Sequence, residues 1–570
     1  MGYEKEQKKK LTKWSTCLAI ATLLLLATAT LSLTTTTNKA GHIHTVSRGV
    51  INFFKTTTAG AGAGADISPS AKIVAVCNST LYPAACVSAL AGATATSQKD
   101  LFPVSIKSAK LLATSARAAA YNILARTKSK SKSDSSPTTA CDDCLELLDI
   151  SLQQLDGVFA AAGNREAKFH DIQTWLSAAL TNQVTCSDRL GAAAGVSPSG
   201  EQALSAQVNL LSKYISNALA LHVSQKGSGR GGRRLSNRHY PAWVTAEDRK
   251  LLEASPADIR ADAVVARDGS GTHGTISDAI AFVSPKSGSG GGRSVIYVKA
   301  GTYNEYIRIP TKQKNVMLMG DGKGKSIIIG GRNAEDGWST YQSATVGAMG
   351  AGFIAKGVTI INTSGPNKHQ AVALHVGGDQ SVVYQCSIQG YQDTLYTYAN
   401  RQFYRDCDIS GTVDFIFGNS AAVFQNCVIQ PRKPAAGQKN SITAQGRSDP
   451  NQNTGISIHD SQISGSTGGA PTYLGRPWKQ YSRVVFIKTV IDGSVSSAGW
   501  EEWSGSFALS TLYYGEYGNT GAGSATSGRV RWPGVHSDMS AAEASKFTVA
   551  NFISGTSWLP GAGVVFTAGL

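Results

Sequence analysis

The sequence predicts an all-α bundle of about four helices followed by an all-β domain built as a parallel β-helix. Three observations predict it. Cys386, Cys407 and Cys427 follow one another at steps of 21 and 20 residues, and Asp393 and Asp414 each fall seven residues after their own cysteine. A frame of about twenty residues is that of a solenoid whose coils stack. After Ala263 the chain becomes a series of short β-rich runs punctuated by glycine and asparagine. The final isoleucines of these runs stand at 360, 388, 409, 429, 463 and 491. Between residues 71 and 224, by contrast, Ala, Leu, Ser and Lys recur at three-to-four spacing with few glycines, which is the helical period.

Taken in order, residues 1–40 carry Lys8, Lys9, Lys10 and Lys13 ahead of an apolar run from Cys17 to Leu33. This reads as a secretory signal peptide or a signal anchor, the run being near the lower length limit for a membrane span. Residues 41–70 are a Thr-, Gly- and Ala-rich linker. In the helical domain, 71–224, Leu145, Leu148, Leu152 and Leu155 make one apolar stripe, and Trp175, Leu176, Ala179 and Leu180 make another. Cys77 and Cys86 are close enough to staple a short helical hairpin, and Cys186 could bridge back to Cys144 or to Cys141. Residues 225–252 form a Gly/basic linker whose dibasic pairs, Arg233-Arg234 and Arg249-Lys250, suit a processing protease.

The β-domain, 253–570, is expected to place strands at Ser294–Val298, Asn315–Met319, Phe353–Ile361, Val382–Ile388, Gln402–Ile409, Ala422–Ile429, Ile456–Ile463 and Arg483–Ile491. Helix-forming stretches between them are scarce, which argues against a doubly wound sheet. The long groove of a β-helix suits an extended polymer.

Composition narrows the function classes. The chain has 570 residues, enough for two or three folded units, with 42% apolar residues and 60 glycines. Its formal charge of +16 is uneven: residues 253–570 hold 26 Lys/Arg against 22 Asp/Glu, so most of the excess lies upstream. No zinc-finger spacing or RNP-like motif supports nucleic-acid binding; an acidic polysaccharide or an anionic surface remains a partner for a basic chain, beside the plainer reading of a basic leader and linker next to a nearly neutral enzyme. Asn78-Ser79-Thr80 and Asn362-Thr363-Ser364 are glycosylation sequons consistent with a secretory route, where disulfides form.

The chemistry centres on Tyr391-Gln392-Asp393-Thr394-Leu395-Tyr396 and Gly411-Thr412-Val413-Asp414-Phe415-Ile416-Phe417-Gly418-Asn419. Parallel strands lie ~4.8 Å apart, so positions one coil apart are nearly superposed and the two carboxylates meet. Like charges so near cannot both ionise easily, so one pKa should rise while the other falls. The ionised aspartate can attack a carbonyl or anomeric carbon, and the protonated one can serve a leaving group. Gln392 offers an uncharged donor for a developing oxyanion. Arg476, in Leu474-Gly475-Arg476-Pro477-Trp478, is the natural partner of the ionised carboxylate. Trp478, Tyr396, Phe417 and Trp500 are candidates for a sugar-stacking platform. No ligand cluster calls for a metal, and no cofactor is expected.

Gly301-Thr-Tyr-Asn-Glu305, Gln370-Ala-Val-Ala-Leu374, Tyr391–Tyr396, Gly411–Asn419 and Leu474–Trp478 occur in the order found in plant pectin methylesterases (pectinesterases), and residues from about 261 to 570 resemble that family. Residues 71–224 resemble the invertase/pectin-methylesterase inhibitor fold. The resemblance implies a right-handed parallel β-helix that hydrolyses methyl esters on homogalacturonan in the cell wall. It implies Asp414 as nucleophile, Asp393 as proton donor and later base, and Gln392 as oxyanion donor with help from Gln370. Thr340, Gln370, Arg476 and Trp478 match substrate contacts, and Cys407–Cys427 is the implied disulfide. The helical domain is then a pro-domain, with inhibitor proteins and a subtilisin-like processing protease as further partners. Two positions depart from the family pattern: His375 stands where an arginine is expected, and Ser420 replaces an alanine.

Two other readings compete on the residues alone. One is a retaining glycosidase, which also uses paired carboxylates. The other is a secreted binding protein whose helical domain inhibits esterases.

Overall fold

The computed structural model describes residues 71–94, 97–127, 139–162, 169–192, 199–225, 260–284 and 292–570, which belong to one compact unit. The leader, the first linker and the dibasic pairs at Arg233, Arg234, Arg249 and Lys250 lie outside the described residues.

The helical domain opens with a short pair, α1 (Ala71–Cys77) and α2 (Pro83–Ala89), stapled by Cys77–Cys86. Four long helices follow: α3 (Gln98–Thr127), α4 (Ala140–Ala162), α5 (Phe169–Ala192) and α6 (Ser199–Ser224). Helix α4 buries Cys144, Leu147, Leu148, Ser151 and Leu155, and α5 buries Ile172, Leu176, Ala179, Gln183 and Cys186, both at helical spacing. Cys144–Cys186 ties these two helices together. Cys141 keeps a free thiol that faces Glu201 Oε1 at 3.6 Å.

The β-domain begins with a cap. Helix α7 (Ile276–Val283), N-capped by Thr275, presses Ile276, Ala279, Ile280 and Val283 onto the first coils. Beyond it the chain winds through three parallel sheets of eleven, seven and eight strands. The isoleucine row of the sequence is a row in space: Ile360, Ile388, Ile409, Ile429, Ile463 and Ile491 are successive register partners in the eight-stranded sheet.

Most of the predicted strands are in fact two. Val382–Ile388, for example, is Ser381–Tyr384 in one sheet and Ser387–Gln389 in the next. The corner between them is turned by a residue in the left-handed region: Gln385, Asp406, Asn426, Asp460 and Lys488 have φ of 53°, 54°, 54°, 46° and 49°. Asn and Asp tolerate that region better than other non-glycine residues, which is why they recur at this corner. Hydrophobic patterning cannot see the corner, because the residues on both sides of it point into the same core.

The next residue at each corner faces inward, so Cys386, Cys407 and Cys427 stack in the interior. The implied Cys407–Cys427 disulfide is not formed: both cysteines carry thiols. Each sulfur instead lies against backbone carbonyls, Cys407 Sγ at 3.3 Å from Val383 O and Cys427 Sγ at 3.7 Å from Tyr404 O, with the two side chains in hydrogen-bond contact.

Two features depart from an all-β reading of 253–570. Besides α7, short helices at Ala541–Ala544, Val549–Phe552 and Leu559–Ala562 return over the outside of the eleven-stranded sheet. There Val549, Ile553, Trp558 and Leu559 cover Val295, Met317, Ile354 and Phe403. Inside the coil, Tyr404 and Phe424 stack at 4.4 Å with planes 10° apart. They lie in the interior, on the strands that follow Asp393 and Asp414 in the same two coils. Phe424→Ala should destabilise the protein by about 3–5 kcal/mol, measured by chemical denaturation, with Phe424→Leu costing distinctly less.

Candidate active site

The seven-stranded sheet carries the site. Its short strands Leu374–Val376, Leu395–Thr397 and Ile416–Gly418 alternate strictly, so Leu374, Val376, Leu395 and Ile416 enter the core. The residues between them, His375, Tyr396 and Phe417, share the outer face and are register partners. Tyr396 and Phe417 stack at 4.2 Å, and Trp478 meets both edge-on at 6.5 and 6.0 Å. Gly446 makes room for Trp478, since a Cβ there would come within 2.7 Å of the indole.

Asp393 and Asp414 occupy the same place in successive coils, three residues before Tyr396 and Phe417. Both adopt left-handed backbone, with φ of 61° and 52°, and Asp393 N donates to Val413 O at 3.0 Å. That shared conformation delivers both carboxyls to one cavity of about 470 Å³. Gln392, Gln370, Thr340, Tyr396, Phe417, Arg476 and Trp478 line the same cavity, so the sequence-derived site assembles there.

Arg476 holds Asp414 with both arms of its fork, Nε to Oδ1 and Nη2 to Oδ2, each at 2.8 Å. Its guanidinium lies 4.6 Å from the centre of the Trp503 ring. A bidentate charge-assisted pair fixes the carboxylate plane and favours its ionised form. Asp393 has no such partner. Burial, then the neighbouring Asp414 charge, push its carboxyl well above the usual range, with Arg476 opposing. Asp414 is also raised, by burial, against the opposing hydrogen bonds and charge of Arg476. The expectation that one value falls is therefore corrected: desolvation moves both upward, and Arg476 keeps Asp414 the more acidic of the two. The two carboxyls are therefore unequal: Arg476 grips Asp414 with two hydrogen bonds and reaches Asp393 only through its charge.

Other expectations are corrected too. Trp500 is 1% exposed, lies inside the coil and stacks on Tyr514 at 4.2 Å, so it forms no part of the platform. Trp503, three residues on, lines the cavity in its place; the run Gly499-Trp-Glu-Glu-Trp503 contained the signal, but not which of the two rings faces out. Asn362 is buried and its amide donates to Arg332 O and Val372 O, so the folded chain offers no acceptor amide there. Asn78, at the end of α1, is exposed.

The cavity is roofed by the helical domain. Thr185, Asp188 and Arg189 of α5 line it. Around it Tyr398 Oη donates to Asn182 Oδ1 at 2.8 Å, Asn419 Nδ2 donates to Thr181 Oγ1 at 2.9 Å, and Lys479 pairs with Asp188 at 2.7 Å. Asp143 of α4, fully buried, takes Arg189 at 2.7 Å and Gln342 Nε2 at 2.8 Å. Arg401 bridges Asp379 of its own domain and Asp171 of α5 at 2.6 and 2.7 Å. Apolar residues of the bundle join Tyr341, Tyr396, Tyr398 and Phe417 in a single core cluster. The helices thus sit on the aromatic floor itself.

Comparison with known proteins agrees with this geometry. The pectinesterase family profile matches residues 262–556, and that of the plant invertase/pectin methylesterase inhibitor matches residues 71–221. The chain is 54% identical to a probable pectinesterase/pectinesterase inhibitor of Arabidopsis thaliana, number 35 in its series, over 80% of this chain and 85% of that one. It is 48% identical to pectinesterase 2 of Citrus sinensis, over 83% and 89% of the two chains. The solved pectin methylesterase from carrot is 51% identical and superposes with a TM-score of 0.53, covering 55% of this chain and 99% of its own. With its stacked right-handed coils, its paired aspartates and an inhibitor-type bundle in front, this chain belongs to the pectinesterase family.

Proposed function

We propose that the chain removes methyl groups from methyl-esterified homogalacturonan, using Asp414 as nucleophile. The observation that carries the proposal is the asymmetry of the pair: one carboxylate clamped by Arg476, its neighbour buried without a cation of its own. Asp414 attacks the C6 ester carbonyl of a galacturonate, and the negative charge that develops on the carbonyl oxygen is met by the amides of Gln392 and Gln370. The C–O bond to methoxide breaks as Asp393 gives up its proton, so methanol leaves neutral and an acyl-enzyme anhydride remains. Asp393, now a base, takes a proton from water as the hydroxyl adds to the anhydride. Asp414 leaves as carboxylate and the C6 group departs as the carboxylic acid, which gives its proton to solvent to become pectate, so both aspartates return to their starting states. Tyr396, Phe417 and Trp478 give the sugar rings an apolar floor.

The helical domain is a pro-domain that holds the cleft shut. Its α5 side chains occupy the space above the carboxyls, where a polysaccharide would run. Cleavage in the linker, beside Arg234 or near Leu252, by a subtilisin-like protease would release it on the way to the cell wall. Separate inhibitor proteins of the same fold would find the same floor.

Asp414→Ala should lower kcat for methanol release by at least about 10³-fold, and Gln392→Ala by about 10²–10³-fold, while polymer length stays unchanged in every case. Methanol assay and size-exclusion chromatography of the same reaction check both points, and shortening of the polymer would favour glycosidase chemistry. A full-length chain with an engineered protease site in the linker should gain activity at least about tenfold on cutting.

A pH effect on stability follows from Asp393. Its folded pKa is raised, so its burial contributes stability that is fully present below the ordinary value of about 3.9 and is lost as pH rises through the raised value. Asp393→Asn should flatten that loss in thermal unfolding followed across pH.

A further inference from the structure

One polar group beside the cavity, on the same sheet face as Tyr396 and Phe417, is not used by the mechanism above. His375 is fully buried; neither ring nitrogen has a hydrogen bond of good geometry, and the Tyr341 backbone supplies only a poor one. A buried imidazole so poorly hydrogen-bonded costs free energy. Its ring lies flat on Tyr396 at 4.8 Å and edge-on to Tyr341 and Tyr398 at 4.8 and 5.1 Å. His375, Tyr396 and Phe417 therefore form one continuous stack along the coil axis. The floor that receives the sugar at the carboxyl pair continues through His375 into the next coil.

We propose that His375 is a specificity-determining residue: once the helical domain leaves, its ring nitrogens bind the C6 group of the galacturonate next to the one being hydrolysed, and they favour a free carboxylate over a methyl ester. This rests on the esterase reading and on release of the bundle. A methyl ester offers the imidazole only a weak carbonyl acceptor. A carboxylate, the group that each previous turnover leaves behind, accepts a charge-assisted hydrogen bond from an imidazolium.

The covered and open states differ in charge. Under the bundle, burial and the nearby Arg308 drive the imidazole pKa down to about 3, so His375 is neutral there. The groups around it are Arg308 from its own sheet, Tyr341, Tyr396 and Tyr398 from the floor, and Glu146 and Asp143 from α4, with Glu146 paired to Arg308 and Asp143 to Arg189. Removing the helices takes away both acids and restores water, leaving Arg308 as the remaining charge of this set on the floor. Desolvation is the largest cause of the depression, so the open imidazole returns toward about 6.5 and carries a proton below that value.

The test uses the full-length chain cut in the linker, in an Asp414→Ala background so that ligands are not turned over. Binding of a de-esterified oligogalacturonate and of its fully methylated counterpart is measured by calorimetry at pH 8 and pH 5.5. With His375 present, the ratio of the two affinities should move toward the acid by about three- to tenfold as pH falls. Asp393 also titrates and contributes to any pH effect, so the informative quantity is the difference between variants. His375→Asn should lose that shift, and His375→Arg should show the acid preference at both pH values. Unchanged unfolding temperatures guard against a folding defect. The same pH-dependent ratio in His375→Asn, or no gain in His375→Arg, overturns the proposal. If instead the cut chain with Asp414 intact releases no methanol, the esterase reading beneath it is what fails.

Discussion

Parallel register between successive coils is the constraint on which the rest of this structure depends. Each coil presents the same few positions to the same sheet, and hydrogen bonds between neighbouring strands hold those positions a strand spacing apart. Asp393 and Asp414 are close because Leu395 pairs with Ile416, and for no local reason. Arg476 reaches Asp414 from two strands further along the same sheet, through the pairing of Ala444 with it and with Phe417. A slip of one residue in this sheet would turn Tyr396 and Phe417 inward and Leu395 and Ile416 outward. The interior rows of isoleucine, cysteine and stacked aromatics guard against that slip, so the core of this protein fixes its chemistry directly.

The electrostatics follow from the same architecture. Coils that place two carboxyls side by side also bury them, and burial raises both. A single guanidinium shared unequally then distinguishes the partners, because it grips Asp414 with two hydrogen bonds and reaches Asp393 only through its charge. The helical domain adds to the burial by lying on the floor. In the intact chain the carboxyl pair therefore lies in a cavity roofed by the bundle, whose Asp143, Asp188 and Asp171 meet Gln342, Lys479 and Arg401 of the β-domain.

Much of this was legible in the sequence, for identifiable reasons. The cysteine and isoleucine beats are consequences of coil stacking, so they reported the fold and placed Asp393 beside Asp414. The corners were not legible, because a left-handed Gln385 or Lys488 leaves no trace in a hydrophobic pattern. The three-residue strands that carry the site were missed for a related reason: Leu374–Val376 or Ile416–Gly418 is too short to show a period. Trp500 and Trp503 could not be told apart without knowing which way the loop turns. The implied bond between Cys407 and Cys427 and the sequon at Asn362 failed on local packing, where sulfurs meet carbonyls and an amide is already occupied. The seating of the helices over the cleft depends on contacts such as Asn182 to Tyr398, between residues remote in the chain, and only coordinates reveal it.

Neighbouring coils give two like carboxyls unequal proton affinities, and carbon-13 NMR titration of labelled aspartate side chains reads each of them separately. With the two resonances assigned through Asp393→Asn and Asp414→Asn, Asp414 should ionise first as pH rises, while Asp393 keeps its proton to a clearly higher pH. An Asp414 resonance that titrates above that of Asp393 would contradict that order.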